Sequence, residues 1–146
     1  MFISITRLRL RSWFYLPGFF LAAGKCVNQA QESAGFIEGA TIMDKKLAFW
    51  TITTWRDVAS MKAYRGKGVH RDVMPKFANW CDEGSVANWE KAEGSLPDSK
   101  EVFEQMVALG RPSPVKYPSV DQAAMRFPAP APDPWRTRKF LATKTT

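Results

Sequence analysis

The stretch from Phe49 to Trp89, FWTITTWRDVASMKAYRGKGVHRDVMPKFANWCDEGSVANW, holds four of the chain's six tryptophans, its one histidine and one of its two cysteines. His70 is the residue there with chemistry near neutral pH. A histidine in this setting is a general base, an axial metal ligand or a hydrogen-bonded core residue. One histidine with no Cys, Asp or Glu at ligand spacing builds no zinc site. Arg71 beside it is either a carboxylate-binding group or a solvated charge. Met74 follows His70 by one helical turn. Trp50, Trp55 and Trp80 read as core or pocket walls. Their indole N–H groups, with Thr51, Thr53 and Asn79, are donors that could hold an oxyanion in a dry apolar cavity. Cys26 and Cys81 lie far apart with no CxxC, so neither a disulfide framework nor a zinc site is indicated. Reduced, buried thiols and a cytoplasmic location are expected.

These residues need elements to position them. FISITRLRL (2–10) alternates like a strand, with Phe2, Ser4, Thr6 and Leu8 on one face and Ile3, Ile5, Arg7 and Arg9 on the other. A helix is expected from Pro17 to Ala34, with Leu16, Phe20, Ala23, Val27 and Ala30 as its apolar stripe and Gly35 as its stop. Strands over 36–44 and 48–55, joined by Lys45-Lys46, form a hairpin. Trp50 and Trp55 fall on opposite faces of the second of these strands, so both faces must be covered. Asp57 caps a helix to Tyr64. The RGKG break lacks the GKS or GKT of a phosphate loop. A second helical piece runs from His70 to about Cys81 and contains Pro75, expected to bend it. A fourth strand ends at Trp89. A last helix (100–109) starts at Asp98 with Glu101 as capping acid.

The chain of 146 residues has 45% hydrophobic and 13% aromatic content, enough for a real core. We divide it into a domain over 1–110 and a Pro-rich basic tail over 111–146. The formal charge is +7, and +5 of it falls from Arg111 onward, where seven of the ten prolines also lie. Phe127, Trp135 and Phe140 are the tail's candidate anchors. No DNA- or RNA-binding signature accompanies the charge, so no nucleic-acid partner is expected. Arg7, Arg9 and Arg11 before WFYLPGFFLAAG imitate a signal peptide. That apolar run is too short to span a bilayer, which needs about 20 residues. No membrane insertion is expected.

The order β-α-β-β-α-β, with a further helix and a tail, is the ferredoxin-like arrangement of an α+β protein. Its antiparallel sheet has one face under helices. Aromatic residues on the other face call for a cover, most simply the same sheet of a second chain. FWTITTW, the acid-led helix ending at Tyr64, the GxH step at Gly68–His70, Trp80 and the strand ending in Trp89-Glu90 resemble the dimeric α/β-barrel superfamily. The similarity is greatest to antibiotic-biosynthesis-monooxygenase relatives and a branch related to spheroidene monooxygenase. It covers about residues 1–92. The resemblance implies a homodimer, a dimeric α/β barrel, and a small apolar or aromatic ligand held between sheet and helices. It implies His70 as the catalytic residue, with Trp50, Trp55, Arg71, Met74 and Trp80 around the substrate. Some members need no cofactor; in others the corresponding histidine ligates haem iron. Haem-degrading members carry an asparagine on the first strand, where this chain has Ser4 and Thr6. Three readings stand open: a small-molecule monooxygenase-like protein, a haem-binding protein with His70 as axial ligand, and a non-catalytic dimeric ligand-binding module.

Overall fold

The computed structural model describes residues 1–92, 94–130 and 137–143. Its elements are β1 (Phe2–Leu10), α1 (Leu16–Glu32), β2 (Phe36–Met43), β3 (Phe49–Trp55), α2 (Val58–Arg65), α3 (Gly68–Trp80), β4 (Cys81–Glu90), α4 (Ser99–Leu109), β5 (Arg111–Pro112) and β6 (Arg138–Leu141). A 3₁₀ turn, Trp13–Tyr15, leads into α1. The strands make one antiparallel sheet in the order β5-β4-β1-β3-β2-β6. Its four central strands have the ferredoxin-like order.

Local chemistry accounts for the helix starts. The carboxylates of Asp57 and Asp98 accept from the backbone N–H of Ser60 and Glu101, each at 2.8 Å, satisfying donors that the first turn leaves unpaired. The Ser60 bond, then Arg56, hold the Asp57 carboxyl down at about 2. Pro75 lies inside α3 without ending it. The buried face of α1 is Phe19, Ala22, Cys26 and Ala30; Ala30 is as expected, the other three fall one residue before Phe20, Ala23 and Val27 of the expected stripe, and Phe20 is exposed. Phe19 wins the inward place because its ring meets Phe49 at 5.0 Å and Phe77 at 5.2 Å.

The period-2 alternation of β1 sorts the core. Phe2, Ser4, Thr6 and Leu8 turn toward α1, α2 and α3. Ile3, Ile5 and Arg7 turn to the opposite face, where Trp50, Ile52, Ala40, Ile42 and Ala87 join them. That opposite face was expected to meet a second chain's sheet. Within this chain α4 already covers it, through Val102 and Met106, with Phe103 and Phe127 packed alongside. Phe127 anchors the tail as expected, edge-on to Trp50 at 5.6 Å. Phe140 anchors it at the far edge, stacked on Phe36 at 5.7 Å. Trp135 lies outside the described residues. No helix among the described residues is long and apolar enough to cross a membrane.

Candidate active site

The α1–α3 face of the sheet does not pack solidly. Between it and the helices lies a cavity of about 230 Å³. Its floor is a patch of sheet hydroxyls, Ser4 and Thr6 from β1, Thr41 from β2, and Thr51 and Thr53 from β3, with Asn88 of β4 beside them. Cross-strand pairing of Ser4 with Thr53, Thr6 with Thr51, and Thr41 with Thr51 sets these groups side by side. The opposite wall is apolar, formed by Phe19 and Cys26 of α1, Met61 of α2, and Met74 and Phe77 of α3. With the Asn88 amide turned so that its nitrogen faces acceptors and its oxygen donors, the nitrogen donates to Ser4 Oγ at 2.9 Å and the oxygen accepts from Arg111 at 3.2 Å.

His70 stands at the helix side of this cavity. The short link between α2 and α3 fixes it. Gly68 takes φ +61, a left-handed conformation that disfavours side chains, and an added Cβ would also press on Gln29 at 3.2 Å. Gln29 of α1 clamps the link. Its amide nitrogen donates to the carbonyls of Tyr64 (3.1 Å) and Lys67 (2.9 Å), and its oxygen accepts from the His70 backbone N–H at 2.8 Å. The imidazole lies 4.8 Å from the Tyr64 ring, which in turn lies 5.0 Å from Trp55. The Tyr64 hydroxyl donates to the Cys26 carbonyl at 3.1 Å.

His70 Nδ1 is 3.2 Å from the Arg65 carbonyl oxygen. A carbonyl only accepts, so Nδ1 carries the proton in the neutral ring and Nε2 keeps its lone pair. Nε2 makes no hydrogen bond among the described residues. Burial lowers the His70 pKa below its ordinary value; the Arg65 carbonyl opposes this and the Arg65 charge adds to it. At neutral pH the ring is therefore an uncharged base. Burial pushes the Cys26 thiol up to about 11, and it stays protonated.

Of the residues expected at the site from sequence, His70 and Met74 line the cavity, as do the donors Thr51 and Thr53. The structure puts the others elsewhere. Trp50 is on the opposite sheet face, its indole N–H donating to Asp44 at 2.9 Å. Trp55 is buried behind Tyr64. Trp80 stacks on Tyr15 at 6.1 Å, outside the cavity lining. Arg71 is exposed and paired with Asp72 at 3.2 Å. Asn79 uses its carbonyl to accept from Arg11 at 2.7 Å. In place of the tryptophans the walls use Phe19, Phe77 and Phe140. Ser4 and Thr6 were signalled by β1 itself, which sets two hydroxyls between Phe2 and Leu8 on a helix-covered face. Phe140 and Ser113 come from the tail, with no periodicity to mark them.

No family model matches the chain, and no curated protein does. Solved structures do. A crystal structure of an antibiotic biosynthesis monooxygenase aligns with a TM-score of 0.56 at 12% identity, over 64% of this chain and 100% of that one. The chain has the antibiotic-biosynthesis-monooxygenase-like fold. Rv0793 of Mycobacterium tuberculosis shares this fold at a TM-score of 0.58 and 8% identity, over 64% of this chain and 97% of its own. So does SnoaB of Streptomyces nogalater, a cofactor-independent oxygenase, at a TM-score of 0.54 and 11% identity, over 66% and 97%. At these identities the likeness is one of fold.

Haem is the prosthetic group that the sequence resemblance raises as one reading. The Nδ1–carbonyl bond of His70 is what an axial histidine would have. The space is not what haem would need. At about 230 Å³ the cavity falls below the roughly 300–1,000 Å³ typical of pockets for drug-sized ligands, and a tetrapyrrole is larger than most of those. Among the described residues no group of three His, Cys, Asp or Glu side chains could hold a metal ion.

Proposed function

We propose that this chain is a small-molecule monooxygenase that works on an electron-rich aromatic compound without a resident cofactor, with His70 as its base. The carrying observation is the neutral His70, its Nδ1–H tied to Arg65 and its Nε2 unpaired, at an apolar cavity with a hydroxyl floor. A phenol bound there gives its O–H proton to Nε2. The phenolate carbon opposite the oxygen then forms a C–O bond with dioxygen, and the peroxide takes the proton back. His70 next removes the hydrogen on that carbon as the O–O bond breaks, and the departing hydroxide leaves as water. One phenol and one dioxygen become one quinone and one water. The protein supplies a base that is uncharged at working pH, a dry wall, and donors for the oxyanion.

Oxygen uptake with 1-naphthol and related phenols that bear a hydrogen opposite the hydroxyl, no cofactor added, tests this. One dioxygen per quinone, lost in His70→Ala, is the expected result. Saturable binding of these compounds with no uptake would leave a ligand-binding module. A Soret band on haemin titration that His70→Ala removes would overturn the cofactor-free reading in favour of haem. The homodimer implied by the resemblance would use a surface other than the sheet face under α4, and sedimentation velocity reads it. The free, buried Cys26 and Cys81 suit a reducing cytoplasm.

A further inference from the structure

The arginine-led apolar run that imitates a signal peptide is folded, and half of it is on the surface. Phe14 is 84% exposed, Leu21 65%, Trp13 56% and Phe20 55%. Isolated exposed apolar residues need no explanation; a contiguous group does. These sit at one end of the sheet, where β1 ends and α1 begins. Phe14 is edge-on to Tyr15 at 5.4 Å, and Phe20 to Phe49 at 5.4 Å. The 116–120 loop joins them, because Arg11 lies over both Tyr15 (4.6 Å) and Tyr117 (4.7 Å), and the Lys116 N–H donates to the Ala78 carbonyl at 2.9 Å. Tyr117 and Val120 are exposed there as well.

The charges at this end are of one sign where they are free. Each acid is already in an ion pair: Asp44 with Arg7 at 2.8 Å, Asp82 with Arg9 at 2.9 Å, Glu83 with Arg7 at 2.6 Å and Asp121 with Lys46 at 2.8 Å. Arg11, Lys45, Lys76 and Lys116 have no ion-pair partner among the described residues, and all four are exposed. Trp, Phe and Tyr set among unpaired Lys and Arg is the composition of a surface that rests in a lipid headgroup layer. A twofold contact with a second copy would bring this cationic patch against itself, which like-charge repulsion disfavours.

We propose that this end of the molecule docks peripherally on an anionic lipid surface, Trp13, Phe14, Phe20 and Leu21 entering the headgroup layer and Arg11, Lys45, Lys76 and Lys116 meeting lipid phosphates. The docking is reversible and spans nothing. It is separate from the chemistry proposed for His70.

Flotation of the full chain with phosphatidylcholine vesicles, with and without phosphatidylglycerol, tests it. Binding is expected only with the anionic lipid, and is weakened at 1 M salt, where charges are screened beyond about 3 Å. Lys45→Ala and Lys116→Ala should each lower partitioning about fivefold. Phe14→Ser with Leu21→Ser should lower it about tenfold or more. These side chains are exposed, so circular dichroism should be unchanged and 1-naphthol binding intact. Equal binding to neutral vesicles, no binding, or variants that bind like the parent would overturn the proposal. So would self-association abolished by the same substitutions, or capture by poly-glutamate without vesicle binding, which would assign the surface to a second copy or to an acidic protein.

Discussion

The Nδ1 of His70 lies 3.2 Å from the carbonyl oxygen of Arg65, five residues back across the Gly66–Gly68 link. That contact, with burial, settles both the tautomer and the charge of the one histidine. Burial lowers its pKa in the folded state below the ordinary 6.5. Between those two values the unfolded chain binds more protons, so stability rises with pH there. The contribution is complete above about 6.5 and is lost as pH falls toward the folded value. Urea midpoints from pH 5 to about 8 should therefore drop on the acid side in the parent. His70→Gln should flatten that drop. The acid limb of any His70-dependent rate should also lie below 6.5.

Phe140 closes the cavity from the far sheet edge. β6 pairs along β2, setting Phe140 opposite Gly39, and its ring occupies the place a Cβ on Gly39 would take. The strap is held at its end too, where Gln31 Nε2 donates to the Leu141 carbonyl at 2.8 Å and the Thr143 N–H donates to Gln31 O at 2.9 Å. Phe140→Ala should open the cavity, shifting preference from one-ring to two- and three-ring phenols in competition binding. The stacking on Phe36 is lost with it, so a stability loss of about 1–3 kcal/mol is expected, since that edge is half exposed. An unchanged size preference would mean that the ring does not bound the site.

The strand order and the place of His70 were legible because period-2 alternation in β1 and β3, the Asp57 cap and the Gly68 turn are local signals. The tryptophans misled. Trp50 and Trp55 differ by an odd number of positions, so they could never share one face, and neither lines the cavity. Residue type suggested pocket walls; burial beside Asp44 and Tyr64 decided otherwise. The cover of the second face was expected from another chain because the periodicity of α4 marks an apolar side, Val102 and Met106, without saying which sheet face it meets. Lys46, 75 positions away, pairs with Asp121 and helps hold the tail down, as does the Ser119 hydroxyl bonded to Glu83; spacing does not disclose either contact.

Cys26 lines the cavity as a thiol. With its pKa pushed up to about 11 by burial, little thiolate exists at neutral pH. Iodoacetamide should label it slowly at pH 7 in the folded protein and rapidly in urea. Saturating 1-naphthol should slow the folded-state labelling further, since ligand and reagent would share the space. Labelling that ligand leaves untouched would place the ligand elsewhere.

Behind the sheet, Arg7 is almost wholly buried and reaches Asp44 through Nε at 2.8 Å and Glu83 through Nη1 at 2.6 Å. Glu83 also accepts from Lys46 Nζ and Ser119 Oγ, each at 2.8 Å, and Lys46 reaches Asp121 at 2.8 Å. The guanidinium lies 5.5 Å from the Phe127 ring centre. The network ties residues 119–127 to β1 and β4. Burial alone would raise the Glu83 pKa; the bonds from Lys46, Arg7 and Ser119 outweigh it and hold the carboxyl below its ordinary value. Its stabilisation is thus present above pH 4.5 and lost as pH falls further. Removing one member leaves a buried charge unpaired, at a cost of about 3–5 kcal/mol. Glu83→Ala should lower the melting temperature and loosen residues 119–127, so that trypsin cuts after the already exposed Arg126 before the rest of the chain unfolds. Arg7→Met combined with Asp44→Asn should be less destabilised than the sum of the two single changes, because the second no longer strands a charge. Additive losses would mean that Arg7 and Asp44 do not act as a pair.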